Sequence, residues 1–274
     1  MQLELVSIAT DTHPLDGLFY RPASPVGAAL FMHGNCMNFY TGPARFIPAA
    51  LARAGYACLA FNRRGHDVIA TLNSRQAVGG AFQMAEEAIA DNRFAAEWLA
   101  SRGFTRPIIV GHSNGGVLGV QYVADHPDTP ALILMSAHVG GTRIVPLASS
   151  VGLLGGERLN DILDEARARI AAGRGDELML LPGWWYAVTA RSLIDYASQI
   201  PDTLALAPRI SCPVLYLRGD KEPAHIYPAE AFATKCAGPC EVRIVPDCDH
   251  FYGGHEEAVG AVVTSWLESV MAHA

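Results

Sequence analysis

A serine, a carboxylate and a histidine follow one another along this chain in an order and context suited to nucleophilic attack on a carbonyl. The serine is Ser113, in Gly111-His112-Ser113-Asn114-Gly115, a G-x-S-x-G pattern. Before it runs the apolar stretch Pro107-Ile108-Ile109-Val110, and after it the small-residue helical pattern Gly116-Val117-Leu118-Gly119-Val120-Gln121-Tyr122. That pattern needs a strand-to-helix turn. Such a turn lifts the serine hydroxyl above the sheet edge, and the helix N-terminus favours negative charge beside it. The flanking glycines let neighbouring chain pass close to a strained central residue. A glycine-rich turn with an incidental serine is the plainer alternative; the correct flanks on both sides argue against it.

A serine hydroxyl is a weak nucleophile at neutral pH. It needs a base, and the base needs an orienting acid. His250, in Val245-Pro246-Asp247-Cys248-Asp249-His250-Phe251, follows the last apolar strand pattern, so it is expected on a loop at the same sheet edge as Ser113. The acid is expected after the preceding strand, in Leu215-Tyr216-Leu217-Arg218-Gly219-Asp220-Lys221-Glu222-Pro223. Asp220 and Glu222 both stand there, and spacing alone does not separate them. An anionic intermediate also needs two backbone N–H donors. One is expected from Asn114, directly after the serine. The other is expected from Asn35 in His33-Gly34-Asn35-Cys36, where Gly34 allows close approach and His33 serves the turn through local hydrogen bonds. Cys36 is expected to line the pocket; as a nucleophile it lacks an evident base. His66, His138, His225 and His255 are dispersed without metal-ligand spacing, so neither a metal nor another cofactor is expected.

Elements must bring these residues together. Residues 3–9 and 17–21 read as a hairpin, and residues 28–32, 56–61, 108–110, 131–135, 214–217 and 242–245 as short buried strands. Helical patterns fall between them at residues 43–54, 82–100, 227–235 and 256–272, with Ile89, Phe94 and Trp98 expected on the inward face of the second. Strands alternating with helices predict an α/β fold with a mostly parallel twisted sheet covered on both faces. From about Gly140 to Pro208 the rhythm breaks. This stretch shows helical pattern and no clear strand, with amphipathic helices expected at 159–172 and 182–199. An insertion of that length is more often functional than idle. Trp184, Trp185 and Tyr186 lie in it, either lining a substrate pocket or gluing the insertion to the core.

With these motifs in order, the chain resembles the α/β-hydrolase superfamily over nearly all its length except the insertion. The resemblance rests on His33-Gly34, Gly111-x-Ser113-x-Gly115, the Gly219-to-Pro223 loop and Asp249-His250, and Asn62-Arg63-Arg64-Gly65-His66 is similar to a structural turn of that family. It implies a core of residues 1–139 and 210–274 and a helical cap of residues 140–209. It also favours Glu222 over Asp220, because the family places its acid at that position, usually as aspartate. Serine at the turn sets the chain apart from relatives that use aspartate there. The implied activity is a serine hydrolase acting on a carboxylic ester, or a thioester or amide, of a small apolar or aromatic substrate. The alternatives are C–C bond hydrolysis of a diketone and a non-catalytic ligand-binding member of the fold.

Composition is compatible with this reading. The 274 residues are 50% hydrophobic and 17% charged, enough for one large core. The net charge of -7 and the lack of basic runs argue against nucleic acid or an anionic membrane as partner. No stretch approaches the roughly 18 apolar residues of a membrane span, and Met1-Gln2-Leu3-Glu4-Leu5 does not read as a secretory signal, so a soluble cytoplasmic protein is expected, monomeric or homodimeric. The six cysteines are expected as reduced thiols, with a Cys236–Cys240 bridge the minor alternative.

Overall fold

The apolar runs become the strands of one eight-stranded sheet. The computed structural model describes residues 1–183 and 187–272. In chain order the first half holds β1 (Gln2–Ile8), β2 (Leu15–Arg21), β3 (Gly27–Met32), α1 (Ile47–Arg53), β4 (Tyr56–Phe61), the short pair β5 (Ala70–Thr71) and β6 (Ala77–Val78), α2 (Ala85–Ser101), β7 (Ile108–His112), α3 (Asn114–Asp125) and β8 (Leu132–Met135). Then follow α4 (Ile144–Ser150), α5 (Leu159–Ala171), β9 (Leu178–Leu180), β10 (Ala187–Thr189), α6 (Ala190–Gln199) and α7 (Thr203–Leu206), and finally β11 (Val214–Gly219), α8 (Ala229–Lys235), β12 (Cys240–Val245) and α9 (Glu256–Met271).

The sheet order is β1-β2-β4-β3-β7-β8-β11-β12. The β1/β2 hairpin joins antiparallel, and every pairing from β4 to β12 is parallel. Alternation along β3 explains how the sheet is covered on both faces: Leu30 and Met32 pack with residues of α2, α3 and α8, while Ala29 and Phe31 pack with residues of α1 and α9. Parallel strands buried on both sides need such continuous apolar runs. Strand order reverses direction on either side of β3, so the loops leaving β3 and β7 open onto a crevice at the carboxyl ends of the strands.

One expectation is refined and one changes. The face of α2 against the sheet is built from Ala95, Ala96 and Leu99, with the half-buried Phe94 and Trp98 packed against it, while Ile89 packs with Ala88 against the residues between β8 and β11. Small side chains let the helix lie close, and Trp98 flanks the contact edge-on to Phe19 at 5.2 Å. The insertion also contains a hairpin: β9 pairs antiparallel with β10, so the helix expected over 182–199 begins only at Ala190. Thr189 caps it by accepting the Ser192 N–H, and the β-branched Val188 and Thr189 before it suit a strand. Trp184, Trp185 and Tyr186 lie outside the described residues.

Residues between β8 and β11 form a third apolar cluster. Ile144, Val145, Ile162, Ala166, Met179, Val188 and Leu193 close over Val117 and Leu118 of α3 and Ala88 of α2. Asp195 on α6 accepts the N–H of Ala85 at 2.6 Å and so caps α2, whose own N-cap residue Met84 offers no side-chain acceptor. All six cysteines are free thiols. Cys236 and Cys240 hydrogen-bond to one another, which brings Cys236 down to about 7.

Candidate active site

Ser113 sits between β7 and α3 at φ 54° and ψ -122°, a conformation that strains any residue with a Cβ. Its neighbours show why the turn is written with glycines. A Cβ on Gly111 would stand 2.3 Å from the Gly115 carbonyl oxygen, and one on Gly115 would stand 2.1 Å from the Met32 carbonyl oxygen. The turn therefore presses against the end of β3, the strand that leads into His33-Gly34-Asn35. Gly34 is equally confined: a Cβ there would come within 3.2 Å of Ser113 Cβ. Ser113 N–H donates to the Met135 carbonyl at 2.8 Å, and the Ser113 carbonyl accepts from Gly116 and Val117. Neither Asn114 N–H nor Asn35 N–H has a hydrogen-bond partner among the described residues. Asn114 opens α3 directly after Ser113, and Asn35 follows Gly34, whose Cα faces Ser113, so both unpaired N–H groups lie beside the serine.

His250 stands on the loop after β12. Its Nδ1 donates to Glu222 Oε1 at 2.7 Å. Its carbonyl oxygen accepts from His112 Nε2 at 2.9 Å, and the two rings lie 4.8 Å apart. The residue before Ser113 thus ties the serine's turn to the histidine's loop. With Nδ1–H committed to the carboxylate, His250 Nε2 carries the lone pair. His112 is fully enclosed, and burial together with the neighbouring His250 holds its imidazole neutral, well below the usual histidine range.

The structure separates the two carboxylates. Glu222 is buried, and besides His250 it accepts Ser136 Oγ–H at 2.6 Å and Gly219 N–H at 2.8 Å. Asp220 is exposed and accepts Cys248 N–H at 3.1 Å, which holds the loop rather than the imidazole. Sequence reasoning missed Ser136. It is fully buried at φ 49°, directly after β8, and Tyr252 Oη lies 2.8 Å from its Oγ. The usable signal was its place at the carboxyl end of a central strand, where side chains of an α/β sheet converge. His138, which the sequence shows only as one of four dispersed histidines, is buried near His250. Its Nδ1 accepts Gly140 N–H at 3.1 Å, which leaves Nε2–H facing Tyr196 Oη at 3.2 Å. Burial, with the neighbouring His250, brings His138 down to about 3. Cys36 is half-buried at φ 52°, with Gly80 against its sulfur.

Among the described residues, no group of three or more His, Cys, Asp or Glu side chains is placed to hold a metal ion. No helix among them is long and apolar enough to cross a membrane.

Solved structures with the same fold cover almost the whole chain. Est1E from Butyrivibrio proteoclasticus with ferulic acid bound is 19% identical, covers 97% of this chain and 99% of its own, and superposes with a TM-score of 0.73. GrgF, an alpha/beta hydrolase from Penicillium sp. sh18, is 16% identical with coverages of 99% and 100% and a TM-score of 0.75. A thermostable carboxyl esterase from Bacillus coagulans in complex with glycerol is 15% identical, with coverages of 98% and 99% and a TM-score of 0.72. A search of curated protein sequences finds no match. The sequence pattern of the alpha/beta hydrolase family matches residues 29–264, the greater part of the chain, and the chain belongs to that family.

Proposed function

We propose that this hydrolase is a serine carboxylesterase that works through an acyl-enzyme on Ser113. The observation that carries the reading is the 2.7 Å bond between His250 Nδ1 and Glu222, on a loop that His112 ties to the serine's turn. In this mechanism His250 Nε2 takes the Ser113 proton as Oγ bonds to the ester carbonyl carbon. The carbonyl oxygen becomes anionic and is held by the N–H groups of Asn35 and Asn114, each worth about 3 kcal/mol in the transition state. Collapse of that intermediate breaks the bond to the leaving alcohol, which takes the proton from His250. Water then repeats the sequence on the acyl-enzyme. Glu222 keeps the imidazole in the Nδ1–H form and stabilises it when charged.

Residues 140–209 serve as the cap over this site, and Ser113, at 3% exposure, is screened from bulk water in the resting chain. A small apolar or aromatic acyl group suits the apolar cluster and tyrosines at that boundary, and the aromatic acid bound to Est1E supports the same choice. Localisation to the cytoplasm belongs to the same reading.

A fluorophosphonate probe and 4-nitrophenyl acetate test the proposal. The wild-type chain is expected to be labelled and to hydrolyse the ester, and Ser113→Ala is expected to lose labelling and at least about 10³-fold in kcat. A folded wild-type chain that is neither labelled nor active on esters removes this reading. Turnover of a vinylogous diketone without ester hydrolysis would reassign the same residues to C–C cleavage.

A further inference from the structure

Two neighbouring arginines leave β4, and their surroundings differ sharply. Arg64 is paired: its Nε donates to Asp91 Oδ1 at 2.8 Å, its N–H to Asp91 Oδ2 at 2.7 Å, and its Nη1 to Asp11 at 3.0 Å. Arg63 is wholly buried, and among the described residues no carboxylate lies within ion-pair distance of it. Its Nε and Nη1 have no hydrogen-bond partner among the described residues. Burial lowers the guanidinium to about 10, which leaves it a cation at neutral pH. The charge of Asp91, held by the neighbouring Arg64, reaches Arg63 and favours its cationic form without touching it. A buried cation with no directly paired carboxylate is unfavourable, and an apolar side chain would fill the same place without that penalty.

The one nitrogen of Arg63 that is engaged identifies what the charge faces. Nη2 donates to the His33 carbonyl at 2.6 Å and reaches the Gly34 carbonyl at 3.5 Å. The Gly34 carbonyl also accepts His33 Nδ1–H at 2.7 Å, while His33 Nε2 accepts the Arg63 N–H at 3.1 Å. Arg63 and His33 thus brace two successive peptide units: Arg63 holds the His33–Gly34 unit by its carbonyl, and His33 Nδ1–H holds the next one. The carbonyl of that second unit is Gly34, and its N–H is Asn35. Donors on the carbonyl side of a peptide draw electron density from the N–H and make it a stronger donor, and they fix its direction.

We propose that Arg63 is a positioning residue for the oxyanion site: by holding the His33 carbonyl and, through its own N–H, the His33 ring that donates to the Gly34 carbonyl, it aims the Asn35 N–H and sets a positive charge behind the Gly34–Asn35 peptide. This rests on the acyl-transfer reading above. The negative charge absent from the ground state appears during reaction on the substrate oxygen, on the far side of that peptide. The cation therefore stabilises the transition state more than the bound ester, the condition for raising kcat rather than affinity. Both acylation and deacylation pass through an oxyanion, so the effect is the same whichever step limits turnover.

The test compares wild type with Arg63→Met and Arg63→Lys on 4-nitrophenyl acetate, with a boronic acid as transition-state analogue. Losing a donor outright costs about 10²–10³-fold. Weakening one from behind is expected to lower kcat roughly tenfold with KM within twofold, by the same principle. Boronate affinity is expected to fall by the same factor as kcat, and Arg63→Lys, which keeps the charge, to recover most of the loss. If Arg63→Met does not fold, Arg63→Gln, which keeps a donor without the charge, takes its place with the same expectation. A folded uncharged variant with kcat within twofold of wild type overturns the proposal. So does an equal loss in the lysine variant accompanied by a risen KM, since that marks a loosened loop. A wild-type chain inactive on esters and unlabelled by fluorophosphonate overturns the hydrolase reading itself, and this inference with it.

Discussion

Glu222 receives His250 Nδ1–H, Ser136 Oγ–H and Gly219 N–H, whereas Asp220, two residues earlier, receives backbone N–H groups of its own loop and of Asp247 and Cys248. A carboxylate with three donors is held in one orientation, which under the proposed mechanism faces the imidazole that takes the serine proton. Glu222→Gln keeps the shape, but its amide can meet His250 Nδ1 with an N–H, which favours the wrong tautomer. We expect kcat to fall on the order of 10³–10⁴-fold, by analogy with the acid-to-amide change in other triads. Asp220→Asn keeps an acceptor for Cys248 and is expected to stay within about threefold, the range for a group that touches no reacting atom. Steady-state rates of the two purified variants check this, and the reverse ranking would move the acid to Asp220. Spacing alone left both open, and the family resemblance favoured Glu222. The choice depends on where the loop after β12 delivers His250, and the longer glutamate side chain is the one that reaches it.

At the scale of elements, the turn between β7 and α3 owes its position to close packing against β3. Gly115 has no room for even a methyl group, since a Cβ would stand 2.1 Å from the Met32 carbonyl oxygen and 2.5 Å from that of His33. Backbone cannot swing aside as a long side chain can, so Gly115→Ala must push β3 or α3 outward. The expected loss is about 3 kcal/mol, at the upper end for overpacking, and a fall in Tm of roughly 6–12 °C for a chain of this size. Gly253→Ala, with nothing within 4 Å of the new methyl, is the control and is expected to leave Tm unchanged. Calorimetry of both variants measures the difference; equal midpoints would mean that the contact yields without cost. The glycine pattern was readable in advance because a tight strand-to-helix turn demands small residues locally. The hairpin of β9 and β10 was not, because three-residue strands carry too little alternation to stand out from the helix that follows.

Across the whole molecule, three buried histidines link the fold to pH. His33 and His112 are held well below the usual value of 6.5, chiefly by burial, and His138 is brought to about 3. Their folded values lie below the unfolded one. The stability from keeping them neutral is therefore complete above pH 6.5 and is lost as pH falls below it. Each takes away about 1.4 kcal/mol per pH unit in that range. Urea midpoints at pH 7.5 and 5.5 should show the loss, and His138→Gln should make the decline about a third shallower. A flat profile between those two values would count against neutral burial. The positions of the sheet strands along the chain, the serine's turn and the histidine loop could all be read from the sequence, because apolar runs and glycine positions express local and nearest-neighbour constraints. The bond from His250 to Glu222, which the resemblance had only favoured, the support that Ser136 gives Glu222, and the burial of Arg63 against the His33 carbonyl emerged only with the tertiary structure. Each depends on distances between segments far apart in sequence, and those distances are set by how the helices pack the sheet.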